Sequence, residues 1–324
     1  MNATATRCGC EAFAAVTEAA ALASGRWLGR GDVEGAERAA STAMREGLDE
    51  LAIDGRIVVG SEDPEDALSI GTRVGRGGMD VDLAVDPLEG RSVVARGDYG
   101  AMAMIAVGDG GSFPSLPQMY MRKMAVGPVV RGKIDLRLPV GDNIRAIADA
   151  FGRNTNDITS IVLDRPRHHD LVEEIRAAGA RIKLIQDGDV TASITAAIRG
   201  TNDHLAIGIG GSRQALLSAA ALRCLGGELQ AQLWPTTRGE IDAAREHGID
   251  DVTKVFETAE LAPGEVIVAA TGVTNGDLLR GVRFLTDSAR THSIVMCTRH
   301  NWVRFVDGIH FFARERREEV RLLS

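Results

Sequence analysis

The segment Asp82-Leu83-Ala84-Val85-Asp86-Pro87-Leu88-Glu89-Gly90-Arg91 is the stretch of this chain best equipped for chemistry. An apolar run leads straight into an acidic turn. Pro87 fixes the backbone after Asp86, and Gly90 permits a tight reversal. Two carboxylates are thereby held at a strand end, with the backbone groups of the turn open to an anion. Paired carboxylates on a rigid turn suit a hard cation such as Mg²⁺, which takes oxygen ligands and bridges to phosphate. The same string also suits an acidic β-turn in solvent, and taken by itself it favours that reading.

Other candidates carry less. Gly208-Ile209-Gly210-Gly211 sits between a strand pattern and a helix pattern and resembles a dinucleotide loop. Arg213 stands where the third glycine of G-x-G-x-x-G belongs, so only an anion cradle of backbone amides is left to it. His168 and His169 are adjacent and point apart, which argues against a shared metal and leaves one to face a site and the other solvent. Ser61 and Ser92 have no serine-hydrolase motif around them. Cys224, beside Ala220 and Leu222 on a helix pattern, reads as core. Cys8 and Cys10 form a C-x-C pair without further ligands at metal spacing, which reads as an untethered N-terminal arm.

The elements that must position these groups follow from periodicity. Helices are expected over 11–25 and 34–51, the second with Ala36, Ala40, Met44, Leu48 and Leu51 on one stripe. Between them, the glycines of Gly25 to Asp32 mark a turn. Strands are expected at 57–59, at 81–85 ending in Asp86-Pro87, and at 101–107, where Gly108-Asp109-Gly110-Gly111 signals a hairpin. A helix over 142–151 opens on Asp142 as cap and closes on Gly152. From about residue 158 strands (160–164, 181–186, 204–209, 228–234, 265–270) alternate with helices (169–178, 190–199, 213–224, 237–247). That rhythm is the α/β signature, with ligands expected at the carboxyl ends of strands. It divides the chain into an α+β half, 1–157, carrying the acidic turn, and an α/β half, 158–324. The run Arg314 to Glu319 reads as a solvated helix end.

Composition excludes several classes. With 324 residues, 44% hydrophobic and 25% charged, the chain can bury a sizeable core. Thirty-seven Lys and Arg against 45 Asp and Glu give a net charge of −8, and aromatics are 4%, which argues against nucleic acid as partner. No apolar run is long enough for a membrane span, and the N-terminus lacks a secretory core. Four cysteines are too few for a disulfide scaffold and suggest a reducing cytoplasm.

Over residues 11 to 310 the chain resembles the class II fructose-1,6-bisphosphatases, the GlpX type, of the lithium-sensitive sugar-phosphatase superfamily. The matching strings come in order: Thr17-Glu18-Ala19-Ala20-Ala21-Leu22-Ala23, Arg26-Trp27-Leu28-Gly29-Arg30-Gly31-Asp32, Val85-Asp86-Pro87-Leu88-Glu89-Gly90 and Met119-Tyr120-Met121. Asp164-Arg165-Pro166-Arg167-His168, Asp187-Gly188-Asp189-Val190, Gly208-Ile209-Gly210-Gly211, Leu233-Trp234-Pro235 and Ala270-Thr271-Gly272 continue the series. The resemblance implies a layered α-β-α-β-α sandwich of two subdomains, a homo-oligomer, and removal of the 1-phosphate of fructose 1,6-bisphosphate with Mg²⁺ or Mn²⁺. It implies metal ligation by the acidic turn, and sugar-phosphate contacts at Tyr120, Arg165, Arg167, Asp187 and Asp189, with Gly210 and Gln214 beside them. Arginines on strand-exit loops can fork onto phosphate oxygens, and paired aspartates can accept from sugar hydroxyls.

The chain also departs from the family pattern. A metal-binding Asp of the family is Glu37 here, its catalytic Thr is Arg91, an acidic residue is Gln214, and a Lys is Val33. The family's Gly-Glu-Gly-Glu has become Gly60-Ser61-Glu62-Asp63. Metal ligands are therefore expected at Glu37, Glu62, Asp86 and Glu89, and catalysis at Asp86, Glu89 and Arg91. Arg91 places a fixed positive charge where a hydroxyl and a water belong. The leading expectation is metal-dependent hydrolysis of a sugar bisphosphate. The alternative is non-hydrolytic chemistry on a ketose phosphate, such as epimerisation, with Arg91 stabilising an enediolate and Glu89 or Asp189 as base. A regulator that binds sugar phosphate without turnover is a third reading.

Overall fold

The computed structural model of the chain describes residues 9–312. It begins with helices α1 (Ala12–Gly25) and α2 (Val33–Asp49), strands β1 (Ile53–Val59), β2 (Arg73–Val74) and β3 (Met79–Glu89), and the short helix α3 (Arg91–Arg96). Strands β4 (Met102–Asp109) and β5 (Tyr120–Val126) precede α4 (Val140–Phe151). Next come β6 (Thr159–Leu163), α5 (His169–Ala177), β7 (Arg181–Ile185), α6 (Asp189–Ala197), β8 (Leu205–Gly211), α7 (Ser212–Leu225), β9 (Glu228–Leu233) and α8 (Arg238–Glu246). The chain closes with β10 (Val255–Glu257), α9 (Thr258–Leu261), β11 (Val266–Gly272), β12 (Arg283–Phe284), β13 (Ser288–Cys297) and β14 (Trp302–Phe311).

Two mixed sheets result. Sheet one has the order β12-β13-β11-β4-β3-β1-β2, with β14 paired to β13, and sheet two has the order β10-β9-β5-β8-β6-β7. Strand β5 lies before residue 157 and belongs to sheet two, whereas β11 to β14 lie after it and belong to sheet one. The change of rhythm at 157 thus does not coincide with a change of sheet.

Three apolar clusters stack the layers. Phe13, Val16 and Ala20 of α1 and Met44 and Leu48 of α2 pack on Ile57, Leu83 and Ile105 of sheet one. Val190 and Ile194 of α6 and Leu216 and Leu217 of α7 fill the space between the sheets, against Met104, Val268, Met121 and Leu229. Ile144 and Ile147 of α4 and Val172 and Ile175 of α5 cover the far face of sheet two. The order is helix, sheet, helix, sheet, helix, as the resemblance implies. Strand pleating sends alternate side chains to opposite faces. On β3, Leu83 and Val85 join the outer cluster and Ala84 the middle one. Asp86 shares the parity of Ala84, so it is carried toward the middle layer.

Four local expectations change. Strand β3 does not stop at Val85 but runs to Glu89. The glycine turn after β4 makes no hairpin: β4 pairs with β3 and β11, and the chain crosses to sheet two. Asp82 accepts the Phe113 N–H at 3.1 Å and Phe113 is buried between the sheets, which anchors that crossing. Helix α4 starts at Val140 after Pro139, so Asp142 lies inside the first turn, paired with Arg145, and is not the cap. Cys10 is buried in the core of sheet one with Phe13, so the arm is docked from that point, while Cys8 and the run from Arg314 lie outside the described residues.

Candidate active site

Most of the candidate residues lie at or just past the carboxyl ends of β3, β6, β7 and β8. Register between β3 and β4 pairs Asp86 with Met104 and then Glu89 with Met102. Three steps on one strand against two on the other make a bulge at Pro87, which has no N–H to give the ladder. Gly90, with φ of 86°, then reverses the chain into α3. Asp86 and Glu89 are both only 5% exposed.

Their surroundings differ. Asp86 accepts one hydrogen bond, from Gln214 Nε2 at 3.0 Å onto Oδ2. Burial raises its pKa, Arg213 and the Gln214 bond oppose this, and Glu37 and Asp187 add to it. Glu89 accepts the Val190 N–H at 2.7 Å and the Thr191 hydroxyl at 3.3 Å, both in the first turn of α6. Burial holds its carboxyl well above the usual range, the Asp86 charge pushes the same way, and the Val190 bond only partly offsets them. Among the described residues neither acid has an ion-pair partner, and burying their charges is costly unless they are matched. A divalent cation would supply that match. Mg²⁺ is held by one or two carboxylates together with water and substrate phosphate, so this donor set fits such an ion.

The expected sugar-phosphate residues line the neighbouring strand ends. Arg167 stacks on the Tyr120 ring at 4.7 Å and gives Nε and Nη2 to Ile209 O. Arg165 gives its guanidinium to the carbonyls of Asp164 and Gln186. Asp187 accepts from Ser92 at 3.4 Å and borders a cavity of about 450 Å³ that Lys183 and Asn275 also line. Asp189 opens α6 and pairs with Lys123 of β5, a buried lysine that no sequence motif singled out. Gly210 contributes space rather than an amide: a Cβ there would meet the Asp189 carboxylate and the Lys123 ammonium. Gly208 to Gly211, expected as an anion cradle, form the end of β8 opposite β5. Ile209 N–H is spent on His168 Nε2 at 2.7 Å, while His168 Nδ1 meets Leu163 O at 2.7 Å. His168 is therefore a buried brace whose pKa is lowered by burial, and His169 is exposed.

The bacterial, glpX-encoded fructose-1,6-bisphosphatase family model matches residues 9–310. The chain belongs to the GlpX-type fructose-1,6-bisphosphatases. It is 42% identical to a D-fructose 1,6-bisphosphatase class 2/sedoheptulose 1,7-bisphosphatase of Synechococcus sp. (strain JA-3-3Ab), over 91% of this chain and 93% of that protein. A protein of the same description from Thermosynechococcus vestitus is 40% identical, over 93% of this chain and 95% of that one.

Within this GlpX-type frame, two of the departures answer each other. Arg91 Nη1 bonds Glu37 Oε2 at 2.5 Å, and that bond is the first cause of the raised Arg91 pKa. The guanidinium bonds α2 and still feels the Asp86 and Asp187 charges. Gln214 keeps contact with Asp86 as a neutral donor. Arg213, read in the sequence only as a missing glycine, reaches the Gly60 carbonyl and pulls the Asp86 pKa down. Glu62 is exposed and, among the described residues, makes no hydrogen bond or ion pair to Asp86 or Glu89. Its loop satisfies itself: Asp63 accepts from Glu65 N–H and Asp66 from Leu68 N–H.

Proposed function

We propose that this chain hydrolyses a phosphate monoester of a sugar bisphosphate, fructose 1,6-bisphosphate above all, with Mg²⁺ or Mn²⁺. The observation that carries the reading is the buried Asp86–Glu89 pair, without an ion-pair partner among the described residues, on a bulged strand end near the Tyr120–Arg167 stack and Asp187. The ion would be held by Asp86, through Oδ1, which accepts no hydrogen bond among the described residues, and by Glu89 through its remaining lone pairs. Bound there, it supplies Lewis-acid stabilisation of charge on the transferring phosphoryl oxygens. Arg213, close enough to act on the Asp86 charge, adds positive potential on the same side. Glu37 pairs with Arg91, so the two substitutions cancel one another's charge.

Substrate orientation falls to the strand ends. Arg167, fixed by its ring contact and by Ile209 O, keeps further N–H donors for a distal phosphate. Asp187 and Asp189 accept from sugar hydroxyls, with Lys123 setting the Asp189 carboxylate. The non-hydrolytic alternative draws no support from the two relatives above, both of them bisphosphatases. Purified chain with Mn²⁺ or Mg²⁺ should release orthophosphate from fructose 1,6-bisphosphate, and Asp86→Asn should abolish release. Absence of phosphate release across a panel of sugar phosphates with both metals would sink the proposal.

We also read the protein as a cytoplasmic homo-oligomer. Among the described residues no helix is long and apolar enough to cross a membrane. Strand β14 is an edge strand with Val303, Phe305 and Phe311 exposed, a surface that soluble proteins usually cover. Sedimentation equilibrium of the purified chain checks the oligomer.

A further inference from the structure

A second cluster of ligating side chains lies in sheet one. Cys297 ends β13, His300 follows in the turn to β14, and Cys10 reaches the same spot from the segment before α1. Cys297 Sγ stands 3.1 Å from His300 Nδ1, and Cys10 Sγ stands 3.9 Å from the same nitrogen. All three ligand atoms lie within 4.8 Å of one another, the cysteines buried and the histidine exposed. In a tetrahedral zinc site, with Zn–S about 2.3 Å and Zn–N about 2.0 Å, ligand atoms sit roughly 3.4–3.8 Å apart. The cluster is close to that spacing. A cavity of about 1230 Å³ lined by Cys10, Cys297, His300, Arg299 and Trp302 gives it an entry path.

We propose that Cys10, Cys297 and His300 bind a soft divalent transition metal, Zn²⁺ in particular, with the fourth position open toward the cavity. The site is distinct from the acidic turn. Through the register, Cys297 aligns with Ile267, Val107 and Leu83, whereas Glu89 aligns with Met102 and Gly272. Leu83 and Glu89 are on the order of 20 Å apart along β3 at the rise of an extended strand. Two thiolates and an imidazole select zinc-like ions, and oxygen donors select Mg²⁺ or Mn²⁺, so each site discriminates against the other's ion. Cys10 is disulfide-bonded in this structure and Cys297 is a free thiol, so the metal site belongs to the reduced chain. A dithiol reductant gives two electrons and two protons to the Cys10 disulfide and leaves as its own disulfide. Metal binding then displaces the thiol protons of Cys10 and Cys297 to solvent.

The test is a Co²⁺ titration of the full chain after reduction with dithiothreitol and its anaerobic removal. The expected result is thiolate-to-cobalt charge-transfer absorption that saturates at one ion per chain and is bleached by Zn²⁺ but not by excess Mg²⁺. Cys297→Ser should lose the band. Cys224→Ser should keep it, because burial pushes the Cys224 thiol up to about 12 and holds it protonated. Should Cys297→Ser lose its native circular dichroism, the exposed position decides instead: His300→Ala should weaken Co²⁺ binding at least about tenfold and shift the band. No band in the reduced wild-type chain, or a band untouched by Cys297→Ser or by His300→Ala, overturns the proposal.

Discussion

Asp86 and Glu89 set the pH behaviour of this protein. Both hold protons more tightly in the folded chain than in the unfolded one. In the absence of metal, stability therefore declines as pH rises from the ordinary carboxylate range through their raised values. Asp86→Asn and Glu89→Gln remove a buried charge, so each should melt higher than the wild type at pH about 8 and lose that advantage near pH about 4. Mn²⁺ should reverse the ranking by stabilising the wild type alone. Scanning calorimetry checks this, and variants that melt lower at alkaline pH without metal would contradict the assignment. Arg91 and Glu37 give a second expectation. Their pair is partly exposed, so a double-mutant cycle should find a coupling of only about 0.2–1 kcal/mol in stability. Glu37→Gln alone should free the guanidinium toward Asp86 and weaken Mn²⁺ activation several-fold, and adding Arg91→Thr should restore it.

Elements explain which parts of this were legible beforehand. The acidic turn is readable because Asp, Pro, Glu and Gly each constrain the backbone locally, and the alternation after residue 158 is readable because each element carries its own period. Lys123 is not, since an inward lysine on an apolar strand declares itself only when α6 brings Asp189 across the gap. Nor is the role of Gly210 legible, because the Asp189 and Lys123 side chains that need its space come from two other elements. Gly210→Ala should disturb that ion pair, cost about 1–3 kcal/mol and raise KM for the sugar phosphate more than it lowers kcat. A KM unchanged in a folded variant would separate Asp189 from substrate binding. The Arg91–Glu37 pairing was equally hidden: each substitution looks damaging alone, and only the packing of α2 beside α3 joins them.

At the scale of the whole molecule, five layers hold the two sets of strand ends over one another. The Thr17-Glu18 motif that helps carry the family resemblance is structural. Thr17 bonds Thr271, Thr271 bonds Ser293, and Glu18 accepts from Thr291 and Ser293, tying α1 to sheet one through buried polar groups. Glu18→Ala removes the charged acceptor that both hydroxyls share, leaving Thr291 to His310 and Ser293 to Thr271, and should cost about 1.5–3 kcal/mol in urea unfolding, with Glu18→Gln costing less. Equal costs for the two variants would assign the effect to packing. The strands of sheet one are drawn from both ends of the chain, a closure that periodicity does not reveal.

The most direct measurement is anomalous X-ray scattering from crystals grown with saturating Mn²⁺ and fructose 1,6-bisphosphate. The expected result is a manganese peak bound by both Asp86 and Glu89, with Arg91 still on Glu37. A Mn²⁺-saturated crystal with no peak there, and the Arg91 guanidinium lying against Asp86 or the phosphate, would contradict it.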